Sequence, residues 1–438
     1  METSCNLVIS SLFYILLSFL IISISTESNL QITNCPNLQL TPNNTKCTNF
    51  TYTESTQNTT SPQSQPYAID IQFYDDGTSL IHLVRNNNTE HCFEPILRIR
   101  IIHLNGSVTE INTNLNLDSV NYCLFNDTGK MVNPISIRPL KKPFILVSYM
   151  NTTNSEYWEE WGAVLNWDGE ILSSISITSS IPLESPKKSL IEININKELG
   201  FLRAVVFVDF INATQYSVDA NGNLSLLSAG ILLSYNTTIF TSLTTADEGY
   251  LILYVTYKNQ DDFLSPLGGL YASFVAYNKT FSNPSDNPIL LFQITRPHMK
   301  INAVHCDAHF GFCYYCVASI IYNNTVYYEE IIFCQETSII FNQLHRIPNE
   351  TNVPWSVSST PVGGYIFSAV VDTTCFIYIY DIDHYLNYAK VNLTYFNTTS
   401  IGAYSILKNN NTLLFSLRDT NSKNTTWSLL AVQLPKTS

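Results

Sequence analysis

The sequence predicts an all-β fold built from repeated strand units, and three observations support this prediction. The chain contains 26 Tyr and 23 Phe, and Ile, Val and Thr recur throughout, which favours strands over helices. Outside the first 25 residues, no segment sustains the 3.6-residue periodicity of an amphipathic helix. Hydrophobic residues make up 45% of the chain and charged residues 13%, so a large core can form and intrinsic disorder is excluded.

A strand-length pattern recurs seven times along the chain. In each copy a turn residue, often Gly, precedes a large residue and an apolar run. The copies begin at Gly77, Pro143, Gly200, Gly249, Gly311, Gly364 and Asn411. Their spacing varies between 47 and 66 residues, which is too irregular for a solenoid but suits propeller blades with variable loops. Because each copy divides into strand-like segments, the sequence predicts a seven-bladed β-propeller of four-stranded antiparallel blades over residues 67–438.

The turns between the third and fourth strands carry a hairpin signal in the first three copies. They read Asn105-Gly106, Asp168-Gly169 and Asn221-Gly222. Such pairs favour two-residue type I′ turns, because both central residues need positive φ. We therefore expect tight hairpins at these positions.

The seventh copy ends after three strands, at Trp427–Leu434. A ring of blades must close, and residues 26–66 contain two candidate strands, SNLQIT and NFTYT, for the missing outer position. The alternative is that this Thr- and Asn-rich segment is a glycosylated tail. The sequence thus predicts that an N-terminal strand closes the ring.

Residues 1–25 have the pattern of a secretory signal peptide. The apolar run from Leu7 to Ile24 ends in small residues that suit cleavage. An uncleaved membrane anchor is the alternative, because the segment before the run contains Glu2 and no Lys or Arg. Cleavage would place the protein outside the cell, and an anchor would tether it to the membrane.

Seventeen glycosylation sequons support the secretory route, since this is roughly twice the number that composition alone would give. The sites that we single out as glycosylation candidates are Asn43, Asn105, Asn151, Asn212, Asn278, Asn323, Asn392 and Asn424. For any single site, an unmodified Asn-rich turn is the alternative.

The chain contains ten cysteines, and loss of Cys5 with the signal segment leaves nine. In an oxidising compartment disulfides are favoured over metal ligands. The predicted pairs are Cys306–Cys313 and Cys316–Cys334 across hairpins, with Cys92–Cys123 and Cys35–Cys47, which leaves Cys375 free. The alternative is a zinc or redox site, because His305 and His309 lie beside a CxxC sequence.

Acids and aromatic residues lie side by side in two predicted loops on one propeller face. They are Tyr157, Trp158, Glu159, Glu160 and Trp161 in one loop and Asp261, Asp262 and Phe263 in the other. Rigid rings give contact area at low entropy cost, so these residues form the predicted binding surface for an extracellular carbohydrate or protein. The alternative is that the Trp rings only pack on a blade edge.

No motif predicts a catalytic residue, a metal or a cofactor. A GxSxG sequence is absent, and Asp381, Asp383 and His384 suit a polar strand end. The net charge of −13, from 35 acidic and 22 basic residues, argues against a nucleic-acid partner.

Two short stretches, Gly268-Gly269-Leu270-Tyr271 and Gly363-Gly364-Tyr365, resemble the double glycine of kelch propellers, although the later Tyr and Trp of a kelch blade are missing. The signal segment and the Asn- and Ile-rich strands resemble uncharacterised secreted β-propeller-like glycoproteins of fungi, and that resemblance implies no activity. The sequence predicts a secreted, N-glycosylated extracellular binding or adhesion module. The alternative is an enzyme on the same scaffold, such as a glycoside hydrolase with two loop carboxylates about 5 to 9.5 Å apart.

Overall fold

The structure is a computed structural model of the chain. It describes residues 28–34, 38–41, 47–54, 66–74, 76–85, 96–103, 107–113, 115, 117, 135–151, 157–177, 181–182, 188–194, 199–206, 210–234, 238–246, 249–257, 268–277, 288–296, 298–308, 313–323, 325–334, 337–351, 356–359, 365–371, 374–380, 386–392, 400–407, 412–418 and 426–433. The predicted signal peptide lies outside these residues. Across the described ranges, no helix has the length and apolar character needed to cross a membrane.

The described residues form strands and turns, which confirms the all-β prediction. The strands of the N-terminal half are β1 (Ser28–Asn34), β2 (Leu38–Thr41), β3 (Cys47–Glu54), β4 (Pro66–Phe73), β5 (Ser79–Arg85), β6 (Arg98–Ile102), β7 (Val108–Asn112), β8 (Ile135–Pro139), β9 (Ile145–Asn151), β10 (Tyr157–Leu165), β11 (Ile171–Ser176), β12 (Ile181–Pro182), β13 (Lys188–Asn194), β14 (Gly200–Val206), β15 (Phe210–Val218) and β16 (Leu224–Ser234). Those of the C-terminal half are β17 (Thr238–Ala246), β18 (Gly249–Tyr257), β19 (Gly268–Ala276), β20 (Ile289–Gln293), β21 (Lys300–Ala308), β22 (Cys313–Tyr322), β23 (Thr325–Cys334), β24 (Thr337–Thr351), β25 (Ser356–Ser359), β26 (Tyr365–Val371), β27 (Thr374–Tyr380), β28 (Leu386–Asn392), β29 (Ser400–Leu407), β30 (Thr412–Arg418) and β31 (Thr426–Gln433).

Within the described residues these strands pair into seven antiparallel sheets, each made mainly from consecutive strands. In chain order the first to seventh sheets contain β4–β7, β8–β11, β13–β16, β17–β20, β21–β24, β25–β28 and β29–β31. The short β12 pairs with β10 at the side of the second sheet. Sequential hairpins of this kind need only short connections, which is why local turn signals in the sequence predicted them.

The N-terminal strands complete the last two sheets. β3, which contains the candidate strand NFTYT, pairs with β31 and gives the seventh sheet its fourth strand. β1, which contains SNLQIT, adds outside β3, and β2 adds to β28 of the sixth sheet. A strand near the start of the described chain, β3, is therefore hydrogen-bonded to its last strand, β31.

The seven predicted copies coincide with the second strands of the seven sheets. β5, β9, β14, β18, β22, β26 and β30 each begin no more than two residues after the residue that opens a copy. Where side chains are described, these strands are buried on both faces, as in the run of buried residues from Tyr250 to Val255. This explains why the second strands read as continuous apolar runs.

Consecutive sheets among the first five pack face to face through a shared core. In β18, Tyr250, Ile252 and Tyr254 enter a core shared with the third sheet, whereas Leu251 and Leu253 enter a core shared with the fifth sheet. Side chains alternate between the faces of a strand, so one strand supplies two cores. The first strands also lie side by side, as β13 does with β17, β17 with β21 and β29 with β4.

The predicted type I′ turns are wrong for Asp168-Gly169 and Asn221-Gly222. Only the glycines have positive φ, at 83° in both turns. The amide of Gly169 donates to the carbonyl of Asn166, and Gly222 bonds to Asp219 in the same way. These hydrogen bonds fit a type I turn followed by a left-handed glycine. The Asn166 and Asp219 side chains accept amide hydrogen bonds within these turns and so stabilise the longer loop. The third turn, at Asn105-Gly106, lies outside the described residues.

The kelch-like resemblance is not supported by the positions of the glycines. Gly268 and Gly269 open β19, a third strand, whereas Gly363 and Gly364 precede β26, a second strand. A family signature would occupy one position in successive blades, and these two pairs begin or precede different kinds of strand in the sequence.

The pairing predicted for the cysteines of the fifth sheet is also wrong. Cys306 forms a disulfide with Cys316, which lies directly opposite it in the β21–β22 register. Cys316 lies three residues beyond the predicted partner Cys313, so β21 and β22 pair in a different register from the one that the predicted bond requires. The Cys92–Cys123 pair lies outside the described residues. The β1–β3 register ends at Asn34 and Thr48, next to Cys35 and Cys47, and that pair stays a prediction.

Steric contact explains why several copies open with glycine. A Cβ atom on Gly249 would lie 2.1 Å from the carbonyl oxygen of Val275 on the neighbouring strand, and one on Gly200 would lie 2.5 Å from that of Tyr216. These contacts are with backbone atoms, which cannot turn aside as a side chain can. The second and third strands thus approach closely only because these positions lack a side chain.

We expect Gly249→Ala to lower the free energy of unfolding by about 2 kcal/mol, because inserting a methyl group into a packed site forces the backbone to shift. Gly162→Ala is the matched control, since its Cβ would meet only side-chain atoms, the nearest being Ile177 Cγ2 at 3.1 Å. Urea denaturation of both variants measures the difference. Equal effects would contradict the backbone explanation.

Candidate functional site

Four turns of the first and second sheets converge at one edge. They connect β4 to β5, β6 to β7, β8 to β9 and β10 to β11, that is, first to second and third to fourth strands. In an antiparallel sheet these two kinds of turn lie at the same edge. The side chains that meet there are Tyr74, Asp76, Thr78, His103, Lys142 and Trp167, which we call the turn cluster.

Lys142 is the central cation of the turn cluster. Its ammonium group forms an ion pair with Asp76 of the first sheet and donates a 2.7 Å hydrogen bond to Thr78 Oγ1. The same Nζ lies 5.1 Å from the ring centre of Trp167 and 5.5 Å from that of Tyr74. Both distances are within the range of a cation–π interaction. Lys142, in the second sheet, therefore bridges to the first sheet through the Asp76 carboxylate, the Thr78 hydroxyl and the Tyr74 ring.

Three aromatic rings support this cation. Tyr74 and His103 each meet Trp167 edge-on, with ring centres 5.7 Å and 5.3 Å apart. Trp167 Nε1 donates to Tyr74 Oη at 2.9 Å, and that hydroxyl donates in turn to the carbonyl of Phe144 at 3.0 Å. Each hydrogen bond crosses from one sheet to the other. The rings are thus held in fixed orientations before any ligand arrives.

The ionisation states follow from burial and from Lys142. Partial burial alone would raise the pKa of Asp76, but hydrogen bonds from Lys142 and Thr78 outweigh it, and the pKa lies below its ordinary value. Partial burial and the charge of Lys142 lower the pKa of His103. Burial raises the pKa of Tyr74 well above its ordinary 10. At neutral pH the turn cluster contains one anion, one cation and a neutral imidazole.

The charged groups of the turn cluster remain open to water. The side chain of Asp76 is 49% exposed and that of Lys142 is 35% exposed, while Trp167 and His103 are half-buried. A carboxylate accepts hydroxyl protons, an ammonium group donates hydrogen bonds, and a fixed ring offers an apolar face or edge. This combination suits an uncharged polyhydroxylated ligand, since the net charge at the site is zero.

Part of the predicted binding surface lies in a strand and not in a loop. Tyr157 to Trp161 belong to β10, so their assignment to a loop is wrong. Asp261, Asp262 and Phe263 lie outside the described residues. The proposed role of these eight residues in binding stays a prediction.

Glu160 is the clearest departure from the predicted surface. Its side chain is 6% exposed and forms a 2.5 Å ion pair with Nε of Arg203, which is 1% exposed and lies on β14 of the third sheet. Burial lowers the pKa of Arg203, and the Glu160 charge acts in the opposite direction. A buried, partnered carboxylate of this kind connects two sheets and does not face a solvent cleft.

Glu159 and Glu160, the described acids of the predicted surface, do not face one cleft. Glu159 lies on the opposite face of β10 from Glu160 and accepts a 3.2 Å hydrogen bond from Trp161 Nε1. Glu329 and Glu330 are likewise consecutive residues of β23, so alternation places them on opposite faces. In the part of the chain that the structure describes, no group of three or more His, Cys, Asp or Glu residues could hold a metal ion.

The glycosylation candidates fall at different kinds of position. Asn323 is exposed in the β22–β23 turn, whereas Asn212 is half-buried in β15. Asn151 and Asn392 are the last residues of β9 and β28. A further sequon, Asn223, is exposed in the β15–β16 turn. The remaining candidates, Asn43, Asn105, Asn278 and Asn424, lie outside the described residues.

The turn cluster was not predicted from the sequence. The hairpin signal at Asp168-Gly169 placed Trp167 beside a turn, and the first copy placed Asp76 beside Gly77. Nothing local joins these residues to Lys142, which lies 66 residues from Asp76 along the chain. Only the packing of the first sheet on the second brings them together.

No family model and no curated protein matches the chain. Among solved structures it is similar to polysaccharide lyase Uly1, with a TM-score of 0.52 and 10% identity, over 87% of this chain and 92% of that one. It is also similar to the Dos1 propeller (TM-score 0.43, 10% identity, 86% of this chain and 94% of that one) and to the GH93 α-L-arabinofuranosidase of Fusarium graminearum (TM-score 0.42, 12% identity, 70% and 94%).

At these identities the similarity concerns the fold alone. Successive four-stranded antiparallel sheets that pack face to face, with their first strands side by side, are the defining features of a β-propeller. The chain therefore has a β-propeller fold.

Proposed function

We propose that the protein is a secreted, N-glycosylated binding module that recognises a neutral carbohydrate through the turn cluster. The observation that carries the proposal is the arrangement of Trp167, Lys142 and Asp76: a fixed ring beside an exposed cation and an exposed anion. Sugar rings pack their apolar faces on aromatic side chains, while their hydroxyl groups bond to charged groups. Secretion and glycosylation are supported by the signal segment and the sequons.

The proposal includes a closed ring of seven blades. The pairing of β3 with β31 and the contact of β29 with β4 support it, because these contacts join the last sheet to the first part of the chain. Closure by an N-terminal strand removes the exposed sheet edges that an open propeller would present. A closed ring would also hold the turns of the first and second sheets in a constant relative position.

A neutral ligand is favoured over an acidic one. The turn cluster has no net charge, and the protein as a whole has a net charge of −13, which repels anions at long range. A basic protein surface is the other partner class that this field would attract. It would contact Asp76 and the negative surface in general, with no need for Trp167.

The test is binding to immobilised neutral hexose and N-acetylhexosamine oligosaccharides, with uronate oligosaccharides and a basic protein as comparison probes. Asp76→Asn keeps an acceptor for the Thr78 amide but removes the charge, and we expect at least a tenfold loss of affinity for a neutral sugar. Trp167→Phe should lose as much. Glu110→Gln is the matched control, because it also neutralises an ion-paired acid of the first sheet but lies outside the turn cluster. Glu110, on β7, accepts a 2.7 Å hydrogen bond from Arg100 on β6.

Three results would count against the proposal. Equal affinity in Asp76→Asn and wild type would move the site away from the turn cluster, and loss in Trp158→Ala with Trp161→Ala would move it to the predicted surface near β10. Binding of the basic protein alone would replace the carbohydrate. Asn105→Gln is measured in parallel. If a glycan on Asn105 occupies the turn cluster, its removal in this variant raises the affinity for the added sugar.

A further inference from the structure

The fifth sheet contains four cysteines in two register pairs. Cys306 lies opposite Cys316 in β21 and β22, and Cys313 lies opposite Cys334 in β22 and β23. The first pair is a disulfide. Since Cys316 is used, the predicted bond from Cys316 to Cys334 is not available, and Cys313 and Cys334 remain as the second pair of facing positions.

We propose that Cys313 and Cys334 form a second cross-strand disulfide, so that three neighbouring strands are covalently joined. Directly opposite residues of an antiparallel pair have Cα atoms about 4.5 to 5.5 Å apart. Disulfides span Cα separations of roughly 4.4 to 6.8 Å. The register therefore satisfies the backbone requirement of the bond without any change in pairing.

The residues beside this pair hold the two strands in register. The next pair along the two strands, Tyr314 and Phe333, has ring centres 5.3 Å apart, and both side chains are buried. The pairing continues without a shift from position 313 to position 322 of β22. A slip of one residue would remove this aromatic contact and expose one face of the core.

Alternation explains why the two bonds do not compete. Position 316 shares a face of β22 with Tyr314 and Ala318, which join the core against the fourth sheet. Position 313 is an odd number of residues away and belongs to the opposite face. One bond thus joins β21 to β22 on one face of the sheet, and the other joins β22 to β23 on the other face.

Formation of the bond requires an oxidant. The two thiols give up two protons and two electrons, and a disulfide carrier such as oxidised glutathione takes them up and becomes two thiols. The inference depends on the proposed secretory route only for the source of that oxidant. Refolding of the purified full chain with oxidised glutathione supplies it directly, so a failure of secretion and a failure of this pairing are distinguishable.

Peptide mapping without reduction tests the pairing. Chymotrypsin cleaves after Phe312, Tyr315 and Phe333, so it separates Cys313 from Cys316 and releases Cys334 at the start of its own peptide. Free thiols are alkylated first, which leaves no thiolate to exchange disulfides during digestion at neutral pH, and we then expect the peptide of Cys313 joined to that of Cys334. Alkylated Cys313 or Cys334, or a bond from either to Cys375, would overturn the inference.

A variant cycle provides a second, independent readout. Cys313→Ala and Cys334→Ala should lower the thermal midpoint by similar amounts, and the double variant should fall no further than either single variant, because one bond is lost in all three. Additive shifts would show two separate thiols and overturn the inference. Cys306→Ala is the control, since its effect should add to that of Cys313→Ala.

Discussion

Glu160→Ala is expected to lower the free energy of unfolding by about 3 to 5 kcal/mol, because it leaves a buried guanidinium without its partner. Arg203 is 1% exposed, and its Nη2 atom already lacks a hydrogen-bond partner among the described residues. Guanidinium groups do not lose their proton in proteins, so neutralisation offers no escape. Guanidinium chloride or urea denaturation at neutral pH gives the measurement.

The double variant Glu160→Leu with Arg203→Met separates the cost of breaking the pair from the value of the pair itself. Both charges are then absent, and we expect its stability to lie within about 1 kcal/mol of the wild type. Glu159→Ala is the matched control on the same strand. It removes only the 3.2 Å hydrogen bond from Trp161 and should cost about 1 kcal/mol or less.

The ion-pair prediction is contradicted if Glu160→Ala costs no more than Glu159→Ala. That result would mean that Arg203 finds other acceptors or reaches water when its partner is removed. Added salt is a further check. It should leave the effect unchanged, since the pair is buried between two sheets and ions do not screen it as they screen surface pairs.

Glu329→Gln is expected to stabilise the protein by about 3 kcal/mol at pH 8 and to have little effect at pH 4. Glu329 is 1% exposed, and its Oε2 atom has no hydrogen-bond partner among the described residues. It shares a face of β23 with Ile331 and Phe333, which pack against the fourth sheet. Burial is the main cause that raises the pKa of Glu329 from 4.5 to about 7, and the charge of Glu330 is the smaller one.

The sign follows from which state holds the proton. Below pH 4.5 the carboxyl group is protonated in both the folded and the unfolded chain, so the variant gains nothing. As pH rises toward 7 the unfolded chain ionises first, and above pH 7 the folded chain carries a buried charge. Each pKa unit corresponds to about 1.4 kcal/mol, which gives about 3 kcal/mol for this difference.

The difference between variant and wild type isolates Glu329 better than the wild-type pH profile does. His82 is fully buried, and burial lowers its pKa to about 3, so it destabilises the folded state as pH falls below 6.5. This opposes the effect of Glu329. Glu330→Gln should reduce the pH dependence that Glu329 causes, because it removes a like charge. A pH-independent effect of Glu329→Gln would contradict the prediction.

The strand units could be predicted because their causes are local. An apolar run such as Gly249-Tyr-Leu-Ile-Leu-Tyr-Val is legible in one dimension, since burial on both faces of a second strand requires apolar residues at consecutive positions. The missing strand of the seventh copy also predicted that the N-terminal segment could supply it, and β3 pairs with β31. Counting strands required no knowledge of how the sheets pack.

Other features depended on exact register and could not be predicted in detail. A shift of a few residues in the turn between β21 and β22 changes which cysteine faces Cys306, and the sequence has no signal that fixes it. The start of β10 is a similar case. Its first residues, which include Trp158 and Glu160, looked like a loop because aromatic and acidic residues suit both a solvated turn and a strand at a sheet interface.

The sequence by itself determined the strand order, the repeated unit and the net negative charge. Only the tertiary structure decided which side chains from different sheets meet. Lys142 with Asp76 and Glu160 with Arg203 are pairs far apart in the chain. Their contacts depend on the rotation and spacing of one sheet against the next, and those follow from the packing of whole cores, to which every buried residue contributes a little.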